Sequence, residues 1–316
     1  MIINILVLII GFAILIKGAD LFIDSASSLA GNFKLSKTVI ALTIVAFGTS
    51  APELGVSIKA ILNGSGDIVL GNVIGSNILN IVLILGVSSL FHPLSVKNNT
   101  IKKEIPFLLL VTILLSVLIN DSFFDVGHVN AFSKADGFIV LIFFIVFVYY
   151  LISMIRNKVD DDSEPPKYNL KKSLIYTILG LIAIVIGSDF VVESATEIAT
   201  ILGISERMIS LTIIALGTSL PELVTSLTAT SKGEYDIALG NAVGSNICNI
   251  GVVLGLPVAI FGGFSNITFN LMDIIVLILS TFLLFVFAFR DRNINKKEGL
   301  VLILIFIIYY ISLFII

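Results

Sequence analysis

Charge is what this chain has least of. Asp, Glu, Lys and Arg make up 13% of its 316 residues, whereas a soluble globular domain carries about 25%. The net charge is −3, so there is no basic excess of the kind that binds nucleic acid. There is one cysteine, Cys248, so no disulfide can close within the chain, and the redox compartment is not readable from it. The two histidines, His92 and His128, fall between apolar stretches and have no neighbours that suggest catalysis. No HExxH motif occurs, and no histidine sits at membrane depth to act as a base. The expectation is therefore not an enzyme, with no cofactor and no obligatory protein partner.

What is there instead is apolar length. Hydrophobic residues make up 57% of the chain and the mean hydropathy is +1.10, a surplus of apolar surface that calls for lipid around it. A spanning helix needs about 20 mostly apolar residues. Ten segments qualify loosely: 2–30, 38–61, 67–91, 104–120, 136–156, 172–201, 208–230, 236–261, 271–289 and 299–315. The first has no basic stretch before it and no small-residue cleavage site after it, so it reads as a retained span rather than a signal peptide. The most polar connection, with Asp160-Asp161-Asp162 and Pro165-Pro166, reads as a solvated linker. It divides the chain into a first half at 1–156, a linker at 157–171 and a second half at 172–316. Lys34, Lys37, Lys97, Lys102, Lys103, Arg156, Lys171, Arg290 and Lys297 all fall in connections on one side; the opposite side holds Lys59, Lys134 and Arg207. Positive charge stays cytoplasmic, so both termini are expected outside a multi-pass plasma-membrane protein.

The halves repeat. Residues 42–54 read LTIVAFGTSAPEL and residues 211–223 read LTIIALGTSLPEL; residues 71–81 read GNVIGSNILNI and residues 240–250 read GNAVGSNICNI. Both pairs share one offset of 169 residues, without a gap, and Gly18-Ala19-Asp20 matches Gly187-Ser188-Asp189 at the same offset. Five spans separate equivalent points. Five is odd, so the second half is expected upside down relative to the first, a recurring plan of secondary transporters.

Glu53 and Glu222 lie mid-segment, where an ionisable group costs a few kcal/mol or more. Such a group is paired, protonated or ion-binding, and only Lys17 is a basic residue at comparable depth. Two close carboxylates would repel, and one would hold a proton unless a cation lay between them. The alternative is a protonated pair that merely joins helices. Pro52 and Pro221 each remove a backbone donor and free a carbonyl near Gly48 and Gly217, while Thr49, Ser50, Thr218 and Ser219 add hydroxyls. Unwound backbone at membrane depth is tolerated where it lines a cavity. Carbonyls, hydroxyls and a carboxylate make a hard-oxygen site suited to sodium or calcium, and the lack of His and Cys among them argues against zinc or copper. The second motif, Asn72, Gly75, Ser76, Asn77 and Asn80 with Asn241, Gly244, Ser245, Asn246 and Asn249, has two readings: close helix packing through GxxxG, or neutral oxygens completing an ion shell. Asp20, Asp24, Asp189 and Glu193 read as solvated helix ends, with an ion entry path as the alternative. Asp67 and Asp236 read as acids favoured at helix N-termini.

Two copies of GTS-x-PEL and GN-x-x-GSN resemble the alpha-repeats of the cation/calcium exchanger superfamily, the sodium/calcium exchangers, in their prokaryotic form. The resemblance implies an all-α integral membrane protein of ten transmembrane helices, built as two inverted five-helix repeats with broken helices 2, 3, 7 and 8. It implies antiport of sodium against calcium by alternating access, with helices 1 and 6 sliding across the rest. By motif match the ion ligands would be Glu53 and Glu222, the hydroxyls of Ser50, Ser219, Ser76 and Ser245, oxygens of Thr49 and Thr218, the carbonyls of Ala46 and Ala215, and Asn80 with Asn249 at the centre. Some relatives, notably potassium-dependent ones, carry Asp where Asn249 stands; Asn is similar to the potassium-independent branch. The short linker leaves no room for a calcium-sensing domain. A proton-coupled calcium exchanger using the same glutamates is the alternative.

Overall fold

The structure is a computed structural model that describes residues 1–124, 129–157, 165–204, 213, 215–265, 267 and 271–315. His128, Arg207, Asp160 to Glu164 and the start of the seventh segment lie outside the described residues.

The chain is all-α, and its apolar segments became helices. Helix α1 runs Ile2–Phe33 and stops at Lys34, which adopts a left-handed conformation. Ser36 caps the next helix by accepting from the Val39 N–H. Helices α2 (Lys37–Thr49) and α3 (Ala51–Leu62) are two pieces of one span, bent by 47°. The cause is Pro52 in the first turn of α3, which cannot continue the hydrogen-bond ladder of α2. Helix α4 (Gly66–Phe91) is followed by α5 (Ile105–Leu118), α6 (Lys134–Arg156) and α7 (Leu170–Ile201). In the second half α8 (Ala215–Thr218) and α9 (Leu220–Ser231) are separated at Ser219, again beside a proline. Helices α10 (Tyr235–Phe261), α11 (Leu271–Asp291) and α12 (Lys296–Ile315) complete the chain. Six of these helices are individually long and apolar enough to cross a membrane, and the bent α2–α3 pair makes a seventh.

The expected breaks in the third and eighth segments did not form. Each stays continuous but changes winding, passing through a π-helical stretch at Asn80–Leu85 in α4 and at Asn249–Leu254 in α10. The physical reason is local: α4 contains no proline, and Pro257 of α10 lies beyond the π stretch, so nothing forces the ladder open. A π turn adds one residue to the turn and is common at functional sites. Here both begin at an asparagine singled out from the sequence.

Helices α4 and α10 are the buried hub, with 72% and 83% of their apolar windows inside the protein. They share a core with α5, α6, α11 and α12 that includes Leu70, Ile74, Ile78, Leu108, Phe147, Ile250, Leu254 and Leu284. A second, smaller core gathers α1, α2, α7 and α9 around Phe22, Ile23, Leu29 and Ile184. The long helices α1 and α7 cross closely. A Cβ at Gly18 would stand 2.8 Å from Ala183 Cβ, and one at Gly187 would stand 2.6 Å from the Leu15 nitrogen, so only glycine permits the approach. The outer face of α1 presents Ile2, Ile3, Leu6, Ile9 and Ile10, an apolar surface too continuous for water.

Two short antiparallel ladders tie connections of the two halves together. Leu94–Ser95 pairs with Asn293–Ile294, and Ala131–Phe132 pairs with Phe264–Ser265. The linker is not free chain. Asn32 donates to the Tyr168 carbonyl at 2.8 Å, the Tyr168 N–H donates to Ser28 Oγ at 3.3 Å, and Lys167 pairs with Asp24 at 2.7 Å.

Candidate cation site

The two breaks place the glutamates. Glu53 lies in the first turn of α3 and Glu222 in the first turn of α9, where unpaired backbone N–H groups favour an anion. Both carboxylates are buried, at 0% and 1% exposure. No basic side chain pairs with either among the described residues. Lys17 lies on the exposed face of α1.

Two asparagines hold the backbone behind these acids. Asn72 Nδ2 donates to the Glu53 carbonyl at 3.1 Å and to Ser57 Oγ at 3.2 Å. Asn241 Nδ2 donates to the Glu222 carbonyl at 3.4 Å and to Ser226 Oγ at 3.0 Å. Across the centre, Asn77 Nδ2 donates to the Asn246 carbonyl at 3.1 Å and Asn246 Nδ2 donates to the Asn77 carbonyl at 3.0 Å. Each residue makes to its counterpart the bond that its counterpart makes to it, the signature of a two-fold relation.

The hydroxyls join this frame unequally. Ser50 Oγ donates to Glu222 Oε1 at 3.3 Å. The Thr49 hydroxyl donates to Asn241 Oδ1 at 3.1 Å and stands 3.4 Å from Ser245 Oγ. Ser219 Oγ donates to Ser76 Oγ at 3.4 Å. Thr218 departs from the pattern: it is half-buried and lines a cavity of about 540 Å³ with Pro52, Lys59, Ser188, Asp189 and Gly217. Ala46 is fully buried, and its carbonyl accepts from the Ser50 N–H at 3.1 Å and from the Thr49 hydroxyl at 3.3 Å. Ala215 opens α8.

Several buried oxygens of this frame have no hydrogen-bond partner. Among the described residues these include both carboxylate oxygens of Glu53, Glu222 Oε2, Asn80 Oδ1 and Asn249 Oδ1. A buried acceptor left unpaired costs about 1–3 kcal/mol, more when charged. Five such atoms come from residues repeated at one offset, and all five are acceptors. Thr225 Oγ1, one turn beyond Glu222, is also buried and unpaired; its equivalent by offset is Val56, so the repeat gave no signal for it. Ser188 was likewise missed. Its hydroxyl donates at 3.1 Å to the Gly217 carbonyl, the one Pro221 frees, whereas the equivalent of Ser188 in the first half is Ala19.

The acids near the helix ends differ. Asp24 pairs with Lys167 and, at 2.6 Å, with Lys232, which also reaches Asp20 at 3.4 Å. Asp189 and Glu193 are exposed, without an ion pair among the described residues. Asp67 lies in the first turn of α4, and Asp236, in the first turn of α10, pairs with Lys97 at 2.9 Å.

A buried carboxylate pair at the N-termini of two broken helices, with neutral oxygens around it, sits inside a protein built of membrane-length helices. The family profile of the sodium/calcium exchanger protein matches residues 3–153 and 172–315, so the chain belongs to the sodium/calcium exchanger family. It is 38% identical to the putative antiporter CaxA of Alkalimonas amylolytica over 97% of both chains. It is 33% identical to the sodium/calcium exchanger MaX1 of Methanosarcina acetivorans over 99% of both. A solved structure of the sodium-calcium exchanger NCX_Mj, soaked with sodium and without calcium, matches with a TM-score of 0.83 at 32% identity, covering 99% of each chain.

Proposed function

We propose that this protein is a secondary antiporter that exchanges sodium for calcium by alternating access. The observation that carries the reading is the pair of buried, uncompensated carboxylates with unpaired acceptors around them. Calcium takes 6–8 oxygens, and the chain offers that number from Glu53, Glu222, Ser50, Ser219, Ser76, Ser245, Thr49, Thr218, Asn80, Asn249 and the carbonyls of Ala46 and Ala215. Thr225 extends this set on the second half. Sodium uses the same hard oxygens, so the two ions compete for one set of ligands.

The scaffold in this reading is ten spans in two inverted five-helix halves. The reciprocal Asn77–Asn246 bonds support it, as do the two ladders, since the pairing of the first is repeated in the second with the halves exchanged. The lysine- and arginine-rich connections face the cytoplasm of a plasma-membrane protein, and both termini face outside.

With both glutamates ionised and Asn rather than Asp at 249, the empty charge of the ligand set is −2. One calcium brings it to zero, and three sodium ions, the ratio the family resemblance implies, bring it to +1. The sodium-loaded step then responds to membrane potential, at about 2.3 kcal/mol per charge per 100 mV, so a negative interior drives sodium in and calcium out. Radioactive calcium uptake into sodium-loaded proteoliposomes tests this with wild type and the double variant Glu53→Gln, Glu222→Gln. Uptake that needs the outward sodium gradient and vanishes in the variant is the expected result. Uptake that ignores sodium and follows a pH gradient assigns the coupling to protons instead.

A further inference from the structure

The amides of Asn80 and Asn249 have a polarity that the structure determines. It begins at a backbone carbonyl, which can only accept. The Asn77 carbonyl accepts from Asn246 Nδ2 at 3.0 Å, which fixes the nitrogen end of that side chain. Its other end, Asn246 Oδ1, must then accept, and it takes the Asn80 Nδ2 hydrogen at 2.9 Å. Asn80 Oδ1 is left as the free end, buried and without a hydrogen-bond partner among the described residues. The same sequence runs in the opposite sense from the Asn246 carbonyl through Asn77 to Asn249, with bonds of 3.1 Å and 3.1 Å, and leaves Asn249 Oδ1 buried and unpaired. A primary amide is two-faced: turned over, it presents two N–H donors in place of an acceptor, and donors repel a cation.

We propose that Asn77 and Asn246 are positioning residues, a crossed pair that holds the amides of Asn80 and Asn249 with their oxygens toward the transported cation. This rests on the antiport reading above. It gives the GSN motif a task other than supplying ligands, because all four amide ends of Asn77 and Asn246 are engaged with each other's backbone or with Asn249 and Asn80. It also makes the central ligands dependent on both halves at once: the orientation of Asn80 is set by a residue of the second half, and that of Asn249 by a residue of the first.

The test exploits the one side chain that has no wrong face. Asn246→Leu keeps the shape but removes the acceptor for Asn80. In full-length protein in sodium-loaded proteoliposomes, it is expected to raise the KM for calcium about tenfold with a smaller change in maximal rate. In an Asn80→Asp background the same substitution is expected to change KM by less than about twofold, because either carboxylate oxygen accepts and no orientation needs holding. Asn77→Leu, read in wild-type and Asn249→Asp backgrounds, repeats the cycle on the other half with an independent protein. Equal loss in both backgrounds, including complete loss of uptake in each, assigns the crossed pair a packing role and overturns the proposal. Wild-type protein that shows no sodium-dependent uptake overturns the antiport reading instead, so the two failures are separable.

Discussion

The GTS-x-PEL motif occurs twice, yet its two copies stand differently. In the first, Thr49 is buried and bonded to Asn241, and Ser50 reaches across to Glu222. The helix carrying them lies tight on α10: a Cβ at Gly240 would come within 2.5 Å of Ala41 Cβ, and one at Gly244 within 2.8 Å of Ala46 Cβ. In the second copy Thr218 lines an open cavity, Ser219 reaches Ser76, and Gly71, the counterpart of Gly240, is exposed. The helix ends follow suit. Asp20 and Asp24 are clamped by Lys232 and Lys167, whereas Asp189 and Glu193 are exposed. Identical local chemistry therefore does not dictate posture; the surroundings do. In the antiport reading proposed above, two equivalent corners in unlike states are what alternating access calls for.

The largest expected break in this comparison comes from filling the tight side. Gly240→Leu collides with Ala41 and is expected to abolish sodium-driven calcium uptake and cost about 1–3 kcal/mol of stability, while Gly71→Leu retains folding; thermal unfolding beside the flux assay checks both. A sharper probe of the corners themselves uses chemical access. With Cys248, the one native cysteine, replaced by alanine, Thr218→Cys is expected to react at least about tenfold faster with a small water-soluble thiol reagent than Thr49→Cys, as buried thiols are shielded from reagents. Equal rates would remove the claimed difference. The smallest effect belongs to the charge clamp. Lys232→Gln and Asp24→Asn are each expected to cost under about 1 kcal/mol, as partly exposed pairs do, and to raise reagent access from the lysine-rich face by a few-fold, more so at low salt. Asp189→Asn should leave access unchanged. Asp24 holds the Lys167 ammonium above its ordinary range. A lysine with a raised folded pKa contributes stability below its unfolded value and loses it as pH climbs through the folded one, so this link persists through neutral pH and fails in strong alkali, or in acid once the Asp24 carboxylate is protonated.

Much of the site was legible in the sequence because its causes are local. Pro52 and Pro221 break their helices wherever those helices lie, and a glutamate one residue beyond each proline lands in a first turn. The repeat carried the partners along by arithmetic. What stayed hidden depends on contacts between distant segments. The linker read as solvated, but its end binds α1 through Asn32, Ser28 and Asp24, because polar residues reveal their solubility and not their partners. The π turns at Asn80 and Asn249 replaced the expected breaks because no proline falls where it would open the ladder of α4 or α10. Two lateral acid–tyrosine pairs, Tyr150 on Glu104 and Tyr309 on Asp273, were also unforeseen. Their signal was present, since Glu104 and Asp273 share the repeat offset, but their tyrosines lie beyond a loop of different length and fall out of register.

The two small ladders bear on what either half could be alone. Each is built from one strand of the first half and one of the second, and the glycine crossing of α1 and α7 and the amide cross-pair are shared in the same way. A single half thus ends in raw edges: two unpaired strands, a glycine groove and an amide reaching for a carbonyl. Neither half closes these edges without the other, so the ladders, the glycine crossing and the amide cross-pair make the two parts of the chain one folding unit.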